Sequence, residues 1–132
     1  MALTSFKMHH DKDPKDAILE EIGDLSGYEL APSKVLVGIY RRPEKTAGGI
    51  IITPKTKDED IYQGVVGLVL KLGPGCFEHD DVNKFHGFNV KVGDWIEYKP
   101  SDTEKIAING VMCRRLSDVL VKAKISHPDM LF

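Results

Sequence analysis

Glycine and proline punctuation limits what this chain can fold into more than any other feature. Twelve glycines and seven prolines among 132 residues break the apolar stretches every few positions, so no long helix can propagate beyond a short N-terminal segment. The longest apolar run, VVGLVL at 65–70, itself contains a glycine and is far too short to span a bilayer. What remains reads as short strands. In KVLVGIY at 34–40, Val35, Val37 and Ile39 share one face and Leu36 takes the other, with Pro32 at the strand's start. The stretch 64–72 is nearly all apolar, as in a strand buried on both faces, and Gly73-Pro74-Gly75 stops it. Val90-Lys91-Val92-Gly93-Asp94 turns into a strand at 95–98, with Trp95 as core or barrel rim. Asn109-Gly110, between 106–108 and 111–113, is the strongest short hairpin signal in the chain. Ser117-Asp118 turns into a last strand at 119–125. Five or more such strands, with pairing closed so that no edge is left exposed, predict an all-β fold: a small, irregular β-barrel.

Flanking segments depart from this pattern. Asp13 is placed to cap a helix with Pro14 at its first position and Asp16 in its first turn. Ile18, Ile22 and Leu25 recur at helical spacing with Leu19 beside them, and Gly27 is placed to end the helix after about three turns. A helix this short is marginal alone, so its apolar stripe must dock on the domain or on a neighbouring subunit. The expected organisation is a leader at 1–27, a barrel domain at 28–125 and an apolar tail at 126–132 with Met130, Leu131 and Phe132.

Between the first two strands lies PEKTAGGIIITPKTKDEDIYQG at 43–64. Gly48 and Gly49 before Ile50, Ile51 and Ile52, with Pro54 after, disfavour a helix, and Thr53-Pro54 with the charged run behind them truncates a strand that would bury Ile50 and Ile52. The expectation is a long, solvated, mobile loop carrying an apolar hook, a feature that marks a partner surface. Ordering about eight backbone residues costs about 8–16 kcal/mol, and burying three isoleucines offsets only about 4.5–9 kcal/mol of it. One loop then binds weakly, whereas several on one assembly bind through avidity. The arithmetic favours an oligomer.

Composition excludes more than it selects. Eighteen basic and twenty acidic residues leave a net charge of −2, which provides no field for nucleic acid or anionic membrane. Cys76 and Cys113 sit in unrelated contexts behind an N-terminus without a signal-type apolar stretch, the pattern of a reducing cytoplasm. Cys76, His79 and His86 lack a second close cysteine pair, so a metal site is not expected. No activated nucleophile, paired carboxylates or phosphate-cradling glycine loop is evident, so neither enzyme activity nor a cofactor is expected. Phe77, Phe85 and Phe88 suggest a packed excursion over 76–89. Arg114 and Arg115, one per face of a strand, read either as exposed charges or as partners for acids on a neighbouring subunit.

EKTAGGIII, with Gly64 opening an apolar strand beyond it, resembles the mobile loop of GroES-type co-chaperonins. The likeness continues through GVVGLVLKLGPG at 64–75, VKVGD at 90–94 and LSDVLV at 116–121, in the family's order, and so covers about residues 30–124. The resemblance implies a GroES-like barrel forming a homo-oligomer, a heptameric ring that caps a GroEL-like chaperonin cage, with Gly48, Gly49, Ile50, Ile51 and Ile52 as the residues entering grooves on the chaperonin apical domains. ATP hydrolysis would stay with the partner. It also implies that the first and last strands pair across the subunit interface, through Val35, Leu36, Val37, Leu120 and Val121. Pro32-Ser33-Lys34 lacks the aspartate common at that point in the family. The run HHDKDPKDAILEEIGDLSG is similar to the leader of phage-encoded relatives, which makes the host cytoplasm one expected location. It also motivates a second reading from another class: a virion structural protein, decorating the head or joining head to tail through contacts with capsid proteins. The leader, the phenylalanine-rich excursion and the apolar tail would then serve as adhesive surface.

Overall fold

The computed structural model describes residues 12–41, 64–78 and 84–131. The expected loop, with Gly48, Gly49, Ile50, Ile51 and Ile52, lies outside the described residues, as does His79.

Helix α1 spans Pro14–Ile22 and begins where its capping residues require: the Asp13 carboxylate accepts from the Lys15 amide at 2.8 Å, with Pro14 at the first turn. It ends at Gly23 rather than at Gly27. Gly23 adopts φ 69°, open to glycine at no steric cost, and its N–H donates to Leu19 O at 3.2 Å. Leu25 therefore reaches the core from non-helical chain. The carbonyls that the helix end leaves without intrahelical partners are met from the sheet: Asn109 Nδ2 donates to Ile22 O at 2.8 Å and to Asp24 O at 3.0 Å.

Six antiparallel strands follow: β1 Lys34–Ile39, β2 Val66–Leu72, β3 Trp95–Glu97, β4 Glu104–Ile108, β5 Val111–Ser117 and β6 Ala123–Ile125. Their order in the sheet is β4-β5-β1-β2-β3-β6, so β1 and β2 are central. A bulge between Leu36 and Val37 shifts the β1–β2 register by one residue. At the β4–β5 hairpin Asn109 and Gly110 both take positive φ, 51° and 78°, as a type I′ turn demands. The fold is a small, irregular all-β domain with one short helix, although β4 and β6, its two end strands, do not pair with each other. The closed pairing expected from the strand count is therefore not made among the described residues.

Both faces of the central strands are covered. Val35, Val37, Val69, Ile96 and Leu116 form one cluster with Phe77, Val90 and Tyr98, and Phe85, Phe88, Leu120 and Val121 pack against it. Phe77 is the hub of the phenylalanine excursion, edge-on to Phe85 at 5.6 Å and to Phe88 at 5.9 Å. The opposite face, Leu36, Leu68, Leu70, Tyr40 and Trp95 with Cys113, is roofed by the leader through Ile22, with Ile18, Leu25 and Tyr28 against it. Gly38 makes this docking fit: a Cβ there would lie 2.7 Å from Ile18 Cγ2. The leader thus packs on its own subunit. Full burial of Ile22 alone contributes about 1.5–3 kcal/mol.

The expected last strand is shorter than the hydrophobic pattern suggested. Asp118–Leu120 forms a 3-10 turn, and pairing resumes only at β6. The cause is Asp118, which is buried and turns inward to accept from the Phe77 amide at 3.0 Å, while its own N–H donates to Ser33 O at 2.9 Å. Chain direction there follows the polar clamp and not the valine-leucine alternation. The tail closes the molecule with a 3-10 turn at Pro128–Leu131, in which Pro128 is buried.

Candidate functional site

The described residues that flank the isoleucine triplet in sequence lie at the ends of the two central strands. The chain leaves β1 at Tyr40 and Arg41 and re-enters at Gly64 and Val65 ahead of β2. β1 and β2 are hydrogen-bonded neighbours, with Ile39 opposite Gly67, Tyr40 N donating to Val66 O at 3.2 Å and Tyr98 N to Val65 O at 2.8 Å. Tyr40 and Val65, on either side of that stretch, are therefore tied to neighbouring strands of the sheet. Tyr40 is wedged edge-on against Trp95, 5.7 Å between ring centres, and its hydroxyl donates to the Asp129 carboxylate in the tail. Arg41 pairs with Glu21 of α1 at 3.3 Å.

Within the subunit, the residues nominated for a subunit interface fall in two places. Val35, Leu36 and Val37 are fully buried in their own subunit, and β1 is paired on both edges, to β2 and to β5. Its backbone groups are already used, so this strand presents no edge to a neighbour. Leu120 and Val121 are half-buried against the same cluster that holds Val35 and Val37, and Leu36 faces the other cluster. Among the described strands the open edges belong to β4 and to β6, the strand that follows Val121. Arg114 and Arg115 also find partners within the subunit. Arg114 Nη1 donates to Thr103 Oγ1 at 2.8 Å and to Pro100 O at 3.2 Å, and Arg115 pairs with Glu104 at 3.2 Å and donates to Tyr28 Oη. These contacts span β-strand neighbours and the leader, which no local pattern reveals.

Neither thiol is set up for chemistry. The Cys76 Sγ donates to Lys34 O at 3.2 Å, and burial followed by the Asp118 carboxylate pushes its pKa up. Cys113 is fully buried, which raises its pKa to about 11. Protonated thiols are poor nucleophiles and poor ligands. Among the described residues no group of three or more His, Cys, Asp or Glu is placed to hold a metal ion, and no helix is long and apolar enough to cross a membrane.

What distinguishes this site is a pair of sheet-anchored chain ends, and not a reactive cluster. The arrangement can present a segment to a partner. Sequence reasoning placed the partner surface at 43–64 but missed the residues that grip its root, Tyr40, Arg41, Glu21 and Asp129. Their partners lie 89 positions apart in one case and 20 in the other, distances at which periodicity carries no signal.

Comparison with known proteins completes the picture. The family model described as Chaperonin 10 Kd subunit matches residues 30–125, from Leu30 through the end of β6. Co-chaperonin GroES 2 of Mesorhizobium japonicum is 36% identical over 89 residues, which cover 66% of this chain and 80% of that protein. Co-chaperonin GroES 3 of Bradyrhizobium diazoefficiens matches with the same identity and coverage. With the whole sheet inside the match and α1 and the tail outside it, the chain belongs to the Chaperonin 10 Kd subunit family.

Proposed function

We propose that this chain is a co-chaperonin that caps a GroEL-like chaperonin cage and assists ATP-dependent protein folding in the cytoplasm. The observation that carries the reading is the match over residues 30–125 to a family whose similar members are named co-chaperonins, a span that includes the Gly48-Gly49-Ile50-Ile51-Ile52 stretch. In this reading the three isoleucines enter apolar grooves on the chaperonin apical domains, and the glycine pair lets the backbone turn into its bound shape. The copies form a ring, a heptamer, whose repeated weak contacts bind together and release together. ATP hydrolysis belongs to the partner, and this chain is not itself an enzyme. Support also comes from the strands on either side of residues 42–63, β1 and β2, which are paired with each other and central in the sheet.

The virion reading drew its motive from three features taken as adhesive surface. The leader's Ile18 and Ile22 pack on its own sheet and Phe77, Phe85 and Phe88 pack on one another and on the core, whereas Met130 and Leu131 of the tail are exposed. The match over residues 30–125 to co-chaperonins favours the first reading over this one. Titrating an ATP-loaded chaperonin with the wild-type protein and with Ile51→Asp tests the proposal. Capping by the wild type and its loss in the variant are expected; undiminished capping by the variant would end the assignment.

A further inference from the structure

The described residues outside the family match, 12–29 and 126–131, converge on one point of the fold. That point is Tyr40-Arg41, where β1 hands the chain to residues 42–63. Tyr40 is only 1% exposed and is held three ways: its ring by Trp95, its amide by Val66 O, and its hydroxyl by Asp129. The tail is itself braced to present that carboxylate. Pro128 is buried, Asp129 N donates to His127 Nδ1 at 3.2 Å, and Ser126 Oγ donates to Met130 Sδ at 3.1 Å. From the other side α1 is seated by Ile22 and by Asn109, and projects Glu21 onto Arg41. The Arg41–Glu21 pair is half exposed and contributes little alone. A hydrogen bond from a buried tyrosine to a carboxylate is the stronger tie.

We infer that Asp129, with Glu21 in support, is a positioning residue: the tail and the leader fix the Tyr40-Arg41 root so that residues 42–63 depart from a set base. The family domain supplies the partner-binding stretch, and the two added segments set its root. Preorganisation of this kind raises the affinity of a partner by lowering the ordering cost at each copy, and the gain multiplies across a ring. The partner arm of this inference rests on the co-chaperonin reading.

Hydrogen exchange of the free full-length protein tests it without any partner. Tyr40→Phe keeps the ring against Trp95 and removes only the donor; Asp129→Ala removes the acceptor; Asp129→Asn keeps an acceptor oxygen. Exchange of the Tyr40 and Tyr98 amides, which bond Val66 O and Val65 O at the root, should rise about tenfold in the first two and return toward wild type in Asp129→Asn. Amides of β2 and β5 should keep their wild-type rates. Unchanged exchange of the Tyr40 and Tyr98 amides, or a rise shared equally by β2 and β5, would overturn the inference. Capping of ATP-loaded chaperonin supplies the second arm: Tyr40→Phe should bind more weakly than wild type, and equal binding with raised exchange would confine the role to the free protein and overturn the affinity claim. Failure of the wild type itself to cap would overturn the co-chaperonin reading and leave the exchange result standing.

Discussion

Replacing Ile22 by alanine should release the leader while leaving the sheet intact. Ile22 is 1% exposed, in a cluster with Leu36, Tyr40, Leu68, Leu70, Trp95 and Cys113. Isoleucine-to-alanine changes in cores cost about 2–5 kcal/mol, the low end applying where surroundings can relax. A nine-residue helix at the molecule's periphery can relax by leaving. It is too short to persist alone, so undocking and unwinding are one event. Its seat is Ile22, part of Ile18, and the two hydrogen bonds from Asn109, each of the latter contributing about 0.5–1.5 kcal/mol. Losing about 2 kcal/mol from that sum raises the undocked population roughly thirtyfold. Cys113 lies beneath the leader and reports the event. In a Cys76→Ala background it is the one thiol left, fully buried and protonated at pH 8 because burial raises its pKa to about 11. Its labelling by a thiol reagent should accelerate by roughly the same thirtyfold in Ile22→Ala, together with exchange of the Ala17 and Gly23 amides that close the helix. Unchanged labelling and unchanged helix exchange would refute docking in cis. A collapse of all amides together would show instead that leader and sheet unfold as one unit.

Three further outcomes follow from named contacts. Asp118→Ala leaves the Phe77 amide without its acceptor in a buried setting and should lower stability by about 1–3 kcal/mol, read from the urea midpoint at constant slope. Asn109→Asp keeps a residue that tolerates positive φ but sets a carboxylate against the Ile22 and Asp24 carbonyls it now serves as donor; helix exchange should rise while the β4–β5 hairpin amides hold. At alkaline pH, Cys113 keeps its proton in the native state up to about 11, against 9.0 when unperturbed. The unfolded chain then binds fewer protons than the folded one, so stability that is full below pH 9.0 declines as pH rises toward 11. The decline in the urea midpoint should be shallower in Cys113→Ala, and an identical decline would contradict it.

The strands were legible because their signals are local. Alternation in 34–40, the apolar run at 64–72 and the Asn109-Gly110 turn each describe a short stretch whose neighbours in sequence are also its neighbours in space. The helix start was legible for the same reason, through Asp13 and Pro14. Its end was not, since Gly23 and Gly27 both suit a stop and Leu25 continues the apolar count; the choice falls to Asn109, which caps the earlier end from across the molecule. Val119 and Leu120 scored as strand because Asp118 looked like a surface turn, and only its buried contact to Phe77 reveals the clamp. Arg114 and Arg115 looked like surface or intersubunit charges for the same reason, their partners lying in other elements. The interface residues carry no signal that separates the two kinds of burial. Val35, Leu36 and Val37 are apolar because their strand is central, and burial within a subunit leaves the same pattern as burial between subunits.

Native mass measurement of the purified protein, alone and with chaperonin plus ATP, tests the central claim most directly. The account predicts a closed ring of identical chains, a heptamer, that joins the chaperonin only when nucleotide is present. A chain that stays monomeric at working concentration and ignores the nucleotide-loaded chaperonin would contradict it.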